Sequence, residues 1–102
     1  MPTLEQLDAL LADEPDDVFL HYSRAMELSK QSRVDEAVEA FDRSLELDKT
    51  YCAAYYHKGR TLIDAGRHDE ARTVLTAGQT AAEAAGDAHT RDEITGLLDT
   101  LP

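Results

Sequence analysis

Apolar residues recur along this chain every three or four positions, and no sustained apolar–polar alternation occurs, so the pattern predicts helices and no strands. Leu4, Leu7, Leu10 and Leu11 form a first stripe, with Thr3 placed to cap it. Pro15, between Asp13-Glu14 and Asp16-Asp17, ends that helix, because proline disfavours helical backbone in the residue before it. Pro15 also suits the first turn of the next helix. That second helix, about 16–30, has two apolar surfaces, one of Phe19, Tyr22 and Met26 and another of Leu20, Ala25 and Leu28. A polar turn, Gln31-Ser32-Arg33, leads to a third helix over 34–47 with Ala37, Val38, Phe41, Ser44 and Leu45 inward.

After Asp48-Lys49-Thr50 a fourth helix is expected over 51–65, with Tyr55, Gly59 and Leu62 towards its neighbour and Tyr56, Arg60 and Ile63 on the other side. Gly66 terminates it. A fifth runs over 68–85 through Ala71, Leu75, Gly78 and Ala82, and its alanine-rich tail favours a longer helix. Gly86-Asp87 gives a stop and then a cap, and a last helix over 88–100 gathers Ile94, Leu97, Leu98 and Leu101 on one side. His89, Arg91, Asp92 and Asp99 are left largely for water. Turns this short make successive helices antiparallel.

The pattern is said twice. Arg33-Val34-Asp35-Glu36-Ala37 returns as Arg67-His68-Asp69-Glu70-Ala71, and 67 − 33 gives an offset of 34 residues. Tyr22 and Tyr56, Ala25 and Gly59, Leu28 and Leu62, and Phe41 and Leu75 fall on the same offset. A fixed period of this length means one helix pair built twice and stacked. In each copy the Asp-Glu pair favours the positive end of a helix and the alanine permits close packing.

With this period and these residues the chain resembles the tetratricopeptide repeat family. Residues 18–51 and 52–85 each fit one unit: Ala25 and Gly59 are the small residue of the first helix, Ala37 and Ala71 open the second, Phe41 and Leu75 follow one turn later, and Ser44 and Gly78 sit at the helix crossing. The family's first-helix tryptophan is absent, with His21 and Tyr55 there instead, and its closing proline appears only as Pro15. Residues 1–17 then resemble the second helix of a truncated unit and residues 86–102 a capping helix. The resemblance implies a single all-α domain, a right-handed α-α superhelix of about six antiparallel helices.

It also implies a concave groove lined by the first helix of each unit. Carried onto this chain, the groove positions are Phe19, Tyr22, Ser23, Met26 and Lys30, then Tyr56, His57, Arg60 and Ile63, with Arg91 and Ile94 from the cap. Aromatic, methionine and arginine side chains supply large area and directional donors at binding hot spots. Phe19, Tyr22 and Met26 serve equally well as packing residues under the N-terminal helix or within the array. Lys58 and Arg24 occupy matching places and are expected to lay their stems on the core with the charges in water. Some relatives clamp acidic chaperone tails with lysines and asparagines. Lys58-Gly59-Arg60 looks superficially similar, but the chain has no asparagine and Tyr56 stands where a lysine is wanted, so that role is not expected.

Charge narrows the partner. Asp+Glu number 21 against 10 Lys+Arg, a formal net charge of −11, which argues against nucleic acid and anionic membranes. Residues 1–17 hold six acids and no base, whereas residues 52–85 hold four of each (Asp64, Asp69, Glu70, Glu83; Lys58, Arg60, Arg67, Arg72). Arg60 and His57 therefore sit in a formally neutral repeat inside an acidic chain, where a peptide with apolar anchors and an acidic group or free carboxylate suits the surface.

A single cysteine, Cys52, rules out an internal disulfide, no signal peptide or membrane-length apolar run is visible, and a cytoplasmic location is the expectation. Catalysis finds little support. His89 and Glu93 are one ligand pair and not a metal site. His68-Asp69 opens a helix, Cys52 and His57 lack a third orienting group, and the five glycines form no phosphate loop. No cofactor or metal is expected. The leading expectation is a non-catalytic adaptor that binds a protein segment. The alternative is self-association through the N-terminal leucines and Leu97, Leu98 and Leu101, with a helical enzyme or metal protein more remote.

Overall fold

Six helices form where the spacing places them: α1 Leu4–Asp13, α2 Val18–Lys30, α3 Val34–Leu47, α4 Cys52–Asp64, α5 His68–Ala84 and α6 Ala88–Leu98. The computed structural model describes residues 2–102, and no strand occurs among them. Met1, which opens the expected half-unit, lies outside the described residues. The chain divides into two compact units, one ending at Asp48 and the other Lys49–Pro102. In the first unit α2 packs against both α1 and α3; in the second, α4, α5 and α6 pack on one another.

Three helices, α1, α2 and α6, start at a side-chain cap. Thr3 accepts from the Gln6 backbone N–H at 3.2 Å while the Gln6 side chain accepts from the Thr3 N–H at 2.9 Å, a reciprocal capping box. Asp17 caps α2 through the Leu20 N–H at 2.9 Å, and Asp87 caps α6 through the Thr90 N–H at 3.0 Å. Pro15 corrects one expectation. It does not enter the first turn of α2 but stays in the connection, where its carbonyl lies 2.7 Å from His21 Nε2.

The duplicated motif has a use that the charges alone did not reveal. Arg33 is the N-cap of α3 and makes no capping bond, yet its guanidinium grips Glu36 with Nε–Oε1 2.9 Å and Nη2–Oε2 2.7 Å. Arg67 repeats this on Glu70 at 3.0 and 2.8 Å. Such two-point forks are geometrically specific. The hydrogen bond from Arg33 holds the Glu36 carboxyl below the ordinary carboxylate value.

Three helices end in the same way. Gly66 donates to the Ile63 carbonyl and Arg67 to that of Leu62; Gly86 and Asp87 do the same to Glu83 and Ala82. This is the Schellman arrangement, which requires a left-handed residue; Gly66 has φ 76° and Gly86 φ 70°. Ser32, at φ 60°, fills that place after α2, with Ser32 and Arg33 donating to Ser29 and Leu28. A non-glycine residue there costs about 1–2 kcal/mol, partly offset by the lower unfolded-state entropy of serine. Ser32→Gly is therefore expected to stabilise the protein by about 0.5–1 kcal/mol in urea unfolding, and an unchanged or lower midpoint contradicts this.

The interior is built from small side chains around a few large ones. Leu7, Ala25, Leu28, Ala37, Ala40 and Phe41 are buried in the first unit, and Ala54, Leu62, Ala71, Leu75, Ala82 and Ile94 in the second. Ser44 is also fully buried, its hydroxyl donating to the carbonyls of Val18 (3.3 Å) and Ala40 (3.4 Å). Arg24 departs from expectation: its Nε binds Asp8 Oδ1 at 2.7 Å and ties α2 to α1 rather than reaching only into water.

Candidate functional site

On α2 the spacing of three and four residues gathers Phe19, Tyr22, Ser23, Met26 and Lys30. Phe19 is 60% exposed, a large apolar area for so small a protein to leave in water. Its ring centroid lies 6.4 Å from that of Tyr22, which meets the buried Phe41 edge-on at 6.2 Å and 62°. Tyr22 thus belongs partly to the packing of its unit. Ser23 and Met26 are half-buried, and Lys30 is exposed and forms no ion pair among the described residues. This face offers chiefly Phe19 and the Lys30 charge.

In the second unit α4 carries Tyr56, His57, Arg60 and Ile63, and α6, packed on α4 and α5, carries Arg91. Tyr56, His57, Ile63 and Arg91 are half-buried and Arg60 is exposed. The Tyr56 and His57 rings meet at 4.9 Å and 84°. Ile94 is a correction to the expected groove set: it is 0% exposed, with Cδ1 against Gly78, and has no surface to offer. The apolar side of α6 that gathers Ile94 with the leucines faces the core.

Arg60 stands apart electrostatically. Arg24, Arg33, Arg43, Arg67, Arg72 and Arg91 each hold a carboxylate within 4 Å, Arg91 through Asp92 at 3.2 Å. Among the described residues Arg60 is the one arginine without such a pair, although Asp64 lies four residues on. Exposed helix pairs of that spacing are worth only about 0.3–0.5 kcal/mol, so Asp64 offers little competition to a ligand carboxylate.

His57 registers the same surroundings. Burial, and then the charge of Arg60, hold its pKa below the ordinary imidazole value, with Glu93 opposing them. A histidine whose folded pKa is depressed favours the folded state fully above its unfolded value of 6.5 and loses that advantage as pH falls towards the folded value. Urea stability is expected to decline below about pH 6.5, with a shallower decline in His57→Gln. Equal slopes in the two proteins contradict this. Glu93 is the neighbour that sequence reasoning passed over, having paired it only with His89, which does lie 3.2 Å away.

Among the described residues no three His, Cys, Asp or Glu side chains gather in a way that holds a metal ion. Cys52 is buried, its Sγ 3.2 Å from the Thr50 carbonyl oxygen. Among the described residues no helix is long and apolar enough to cross a membrane. Of the leucines that suggest self-association, Leu97, Leu98 and Leu101 are half-buried and Leu7 is buried, while Leu10 is 48% exposed.

Short antiparallel helix pairs, a 34-residue offset and small residues at the helix crossings define a helical-repeat protein. The tetratricopeptide repeat family matches residues 28–90, with a second match over residues 4–51. The chain belongs to that family. It is 29% identical to the peroxisomal targeting signal receptor of Candida albicans over 97% of this chain but 17% of that protein. An uncharacterised protein of Methanocaldococcus jannaschii is 33% identical over 51% of this chain and 60% of its own. The chain thus spans less than two thirds of both.

Among solved structures, a Bordetella parapertussis protein is similar at TM-score 0.84 and 27% identity, over 97% of this chain and 86% of that one. The TPR2B domain of yeast Sti1, solved in complex with pHsp70, is similar at TM-score 0.87 and 22% identity, over 94% and 77%. At that identity the second likeness speaks for the fold.

Proposed function

We propose that this chain is a non-catalytic adaptor module that binds a segment of a partner protein, and that the α4–α6 face of its second unit is the main recognition surface. The observation that carries the reading is Arg60, an exposed guanidinium without a carboxylate in a chain of net charge −11, beside the Tyr56–His57 ring pair and Ile63. The fitting ligand is an extended or helical segment with an apolar anchor for the rings and Ile63 and a carboxylate for Arg60. Two similarities support a role in binding proteins: the Candida relative is a receptor for a targeting signal, and the Sti1 domain was solved with pHsp70. Phe19 and Lys30 provide a second apolar-cationic patch on α2. A cytoplasmic location is part of the same proposal, tested by fractionation.

The direct test is affinity capture from native lysate with wild type and Tyr56→Ala/Arg60→Glu. The double variant, shown by circular dichroism to be folded, is expected to lose the main wild-type partners. Retention of every partner overturns the reading.

A further inference from the structure

The α4–α6 face carries a cluster of ionisable groups around His57. His57 and Arg60 lie three residues apart on α4 and so on one side of it, with Cβ atoms about 5–6 Å apart. From α6, Glu93 acts on His57 through its charge, and His89 Nε2 lies 3.2 Å from Glu93 Oε1. Arg91, also on α6, is held by Asp92 at 3.2 Å. From α5 the buried positions are Ala71, Leu75, Gly78 and Ala82, none of them ionisable. The imidazole itself is half-buried, with the Tyr56 ring edge-on to it at 4.9 Å. Within the second unit, one permanent cation on its own helix and one carboxylate from α6 thus oppose each other at this ring.

We infer that His57 takes up a proton when an acidic segment binds at Arg60, so that this surface holds its partner more tightly as pH falls below neutral. This rests on Arg60 being the anion anchor proposed above. In the unliganded chain burial and the Arg60 charge both disfavour the imidazolium, and Glu93 favours it. A carboxylate seated on Arg60 offsets that repulsion and adds an attraction of its own from a similar distance. The apolar anchor covers more of the ring and works the other way. The carboxylate prevails because opposite charges attract more strongly as water leaves the contact. The complex then has the higher imidazole pKa, binds more protons, and gains affinity as pH falls from the bound value towards the unliganded one. The unliganded value lies below 6.5. The gain ends where the ligand's own carboxylate protonates, near about 4.3. At about 6 Å the attraction between unit charges in water is worth about threefold in affinity, and more where water is excluded.

The test uses a peptide with one acid beside an apolar anchor, selected on the full chain from a displayed random library at about pH 7.5. The same peptide with glutamine in place of its acid is the control. Calorimetric titration of wild type is expected to show about threefold or greater tightening of the acidic peptide between about pH 7.5 and about pH 5.5. Near about pH 6, buffers of different ionisation enthalpy are expected to reveal uptake of a fraction of a proton, up to about half, per bound peptide. His57→Gln, shown by circular dichroism to be folded, is expected to bind as wild type does at the higher pH and to gain nothing at the lower. The glutamine peptide is expected to bind more weakly and to gain nothing either. Equal wild-type affinity at the two pH values, or no proton uptake, overturns the inference. So does the wild-type pH dependence persisting in His57→Gln or with the glutamine peptide. In each of these cases the adaptor reading stands so long as Arg60→Glu loses the acidic peptide. Full affinity in Arg60→Glu overturns that reading and this inference with it.

Discussion

Arg60→Glu is expected to weaken binding of an acidic, apolar-anchored peptide by about ten- to a hundredfold without changing stability. A hydrogen bond to a charged group contributes about 1.5–3 kcal/mol, and each 1.4 kcal/mol is a factor of ten in affinity. The substitution also sets a carboxylate against the ligand's own, so its effect exceeds that of Arg60→Ala, which only removes the attraction. Stability is spared because Arg60 is exposed and holds no carboxylate in the folded chain. Calorimetric titration with a peptide selected from a displayed random library measures this. The selected sequences are expected to share an acid beside an apolar residue. Undiminished affinity in Arg60→Glu contradicts the assignment of Arg60 as the anion anchor.

Gly78→Ala and Gly96→Ala are the same change in two helices and are expected to act in opposite directions. A Cβ on Gly78 lands 2.7 Å from Tyr55 Cβ and 3.0 Å from Ile94 Cδ1. The first of these atoms is fixed to the α4 backbone, so α4 and α5 must separate, at a cost of about 1–3 kcal/mol for overpacking. Alanine's better helix propensity returns about 1 kcal/mol, leaving Gly78→Ala destabilised by up to about 2 kcal/mol and Gly78→Val by more. A Cβ on Gly96, towards the end of α6, meets nothing within 4 Å. Gly96→Ala is expected to keep only the propensity gain, about 0.5–1 kcal/mol. Urea unfolding of both variants beside wild type checks the signs. If both stabilise, α4 and α5 do not meet closely at Gly78.

Local regularities were legible in the sequence because they act over three or four residues. The stripes, Thr3 and the duplicated Asp-Glu-Ala placed the helices, and α3 runs from Val34 to Leu47 as its spacing predicts. Ser32 was readable only by comparison, since its place opposite Gly66 in the offset, rather than its chemistry, marks the left-handed turn. The salt bridge of Arg24 to Asp8 joins residues sixteen apart on different helices, and no short-range pattern reports it. Ile94 shared its helix face with half-exposed leucines, and only the packing of α6 on α5 decides that it is fully buried. Arg60 was singled out for its residue type and position. What gives it weight is that it lacks an ion pair despite Asp64 four residues away, a matter of side-chain placement that spacing alone misjudges.

The central claim, that the α4–α6 face reads a protein segment, is tested most directly by following backbone amide resonances of the labelled chain as the selected peptide is added. The shifts are expected to concentrate on Tyr56, His57, Arg60, Ile63 and Arg91 and to vanish in Arg60→Glu at the same peptide concentration. Shifts confined to other helices, with those five residues unmoved, contradict it.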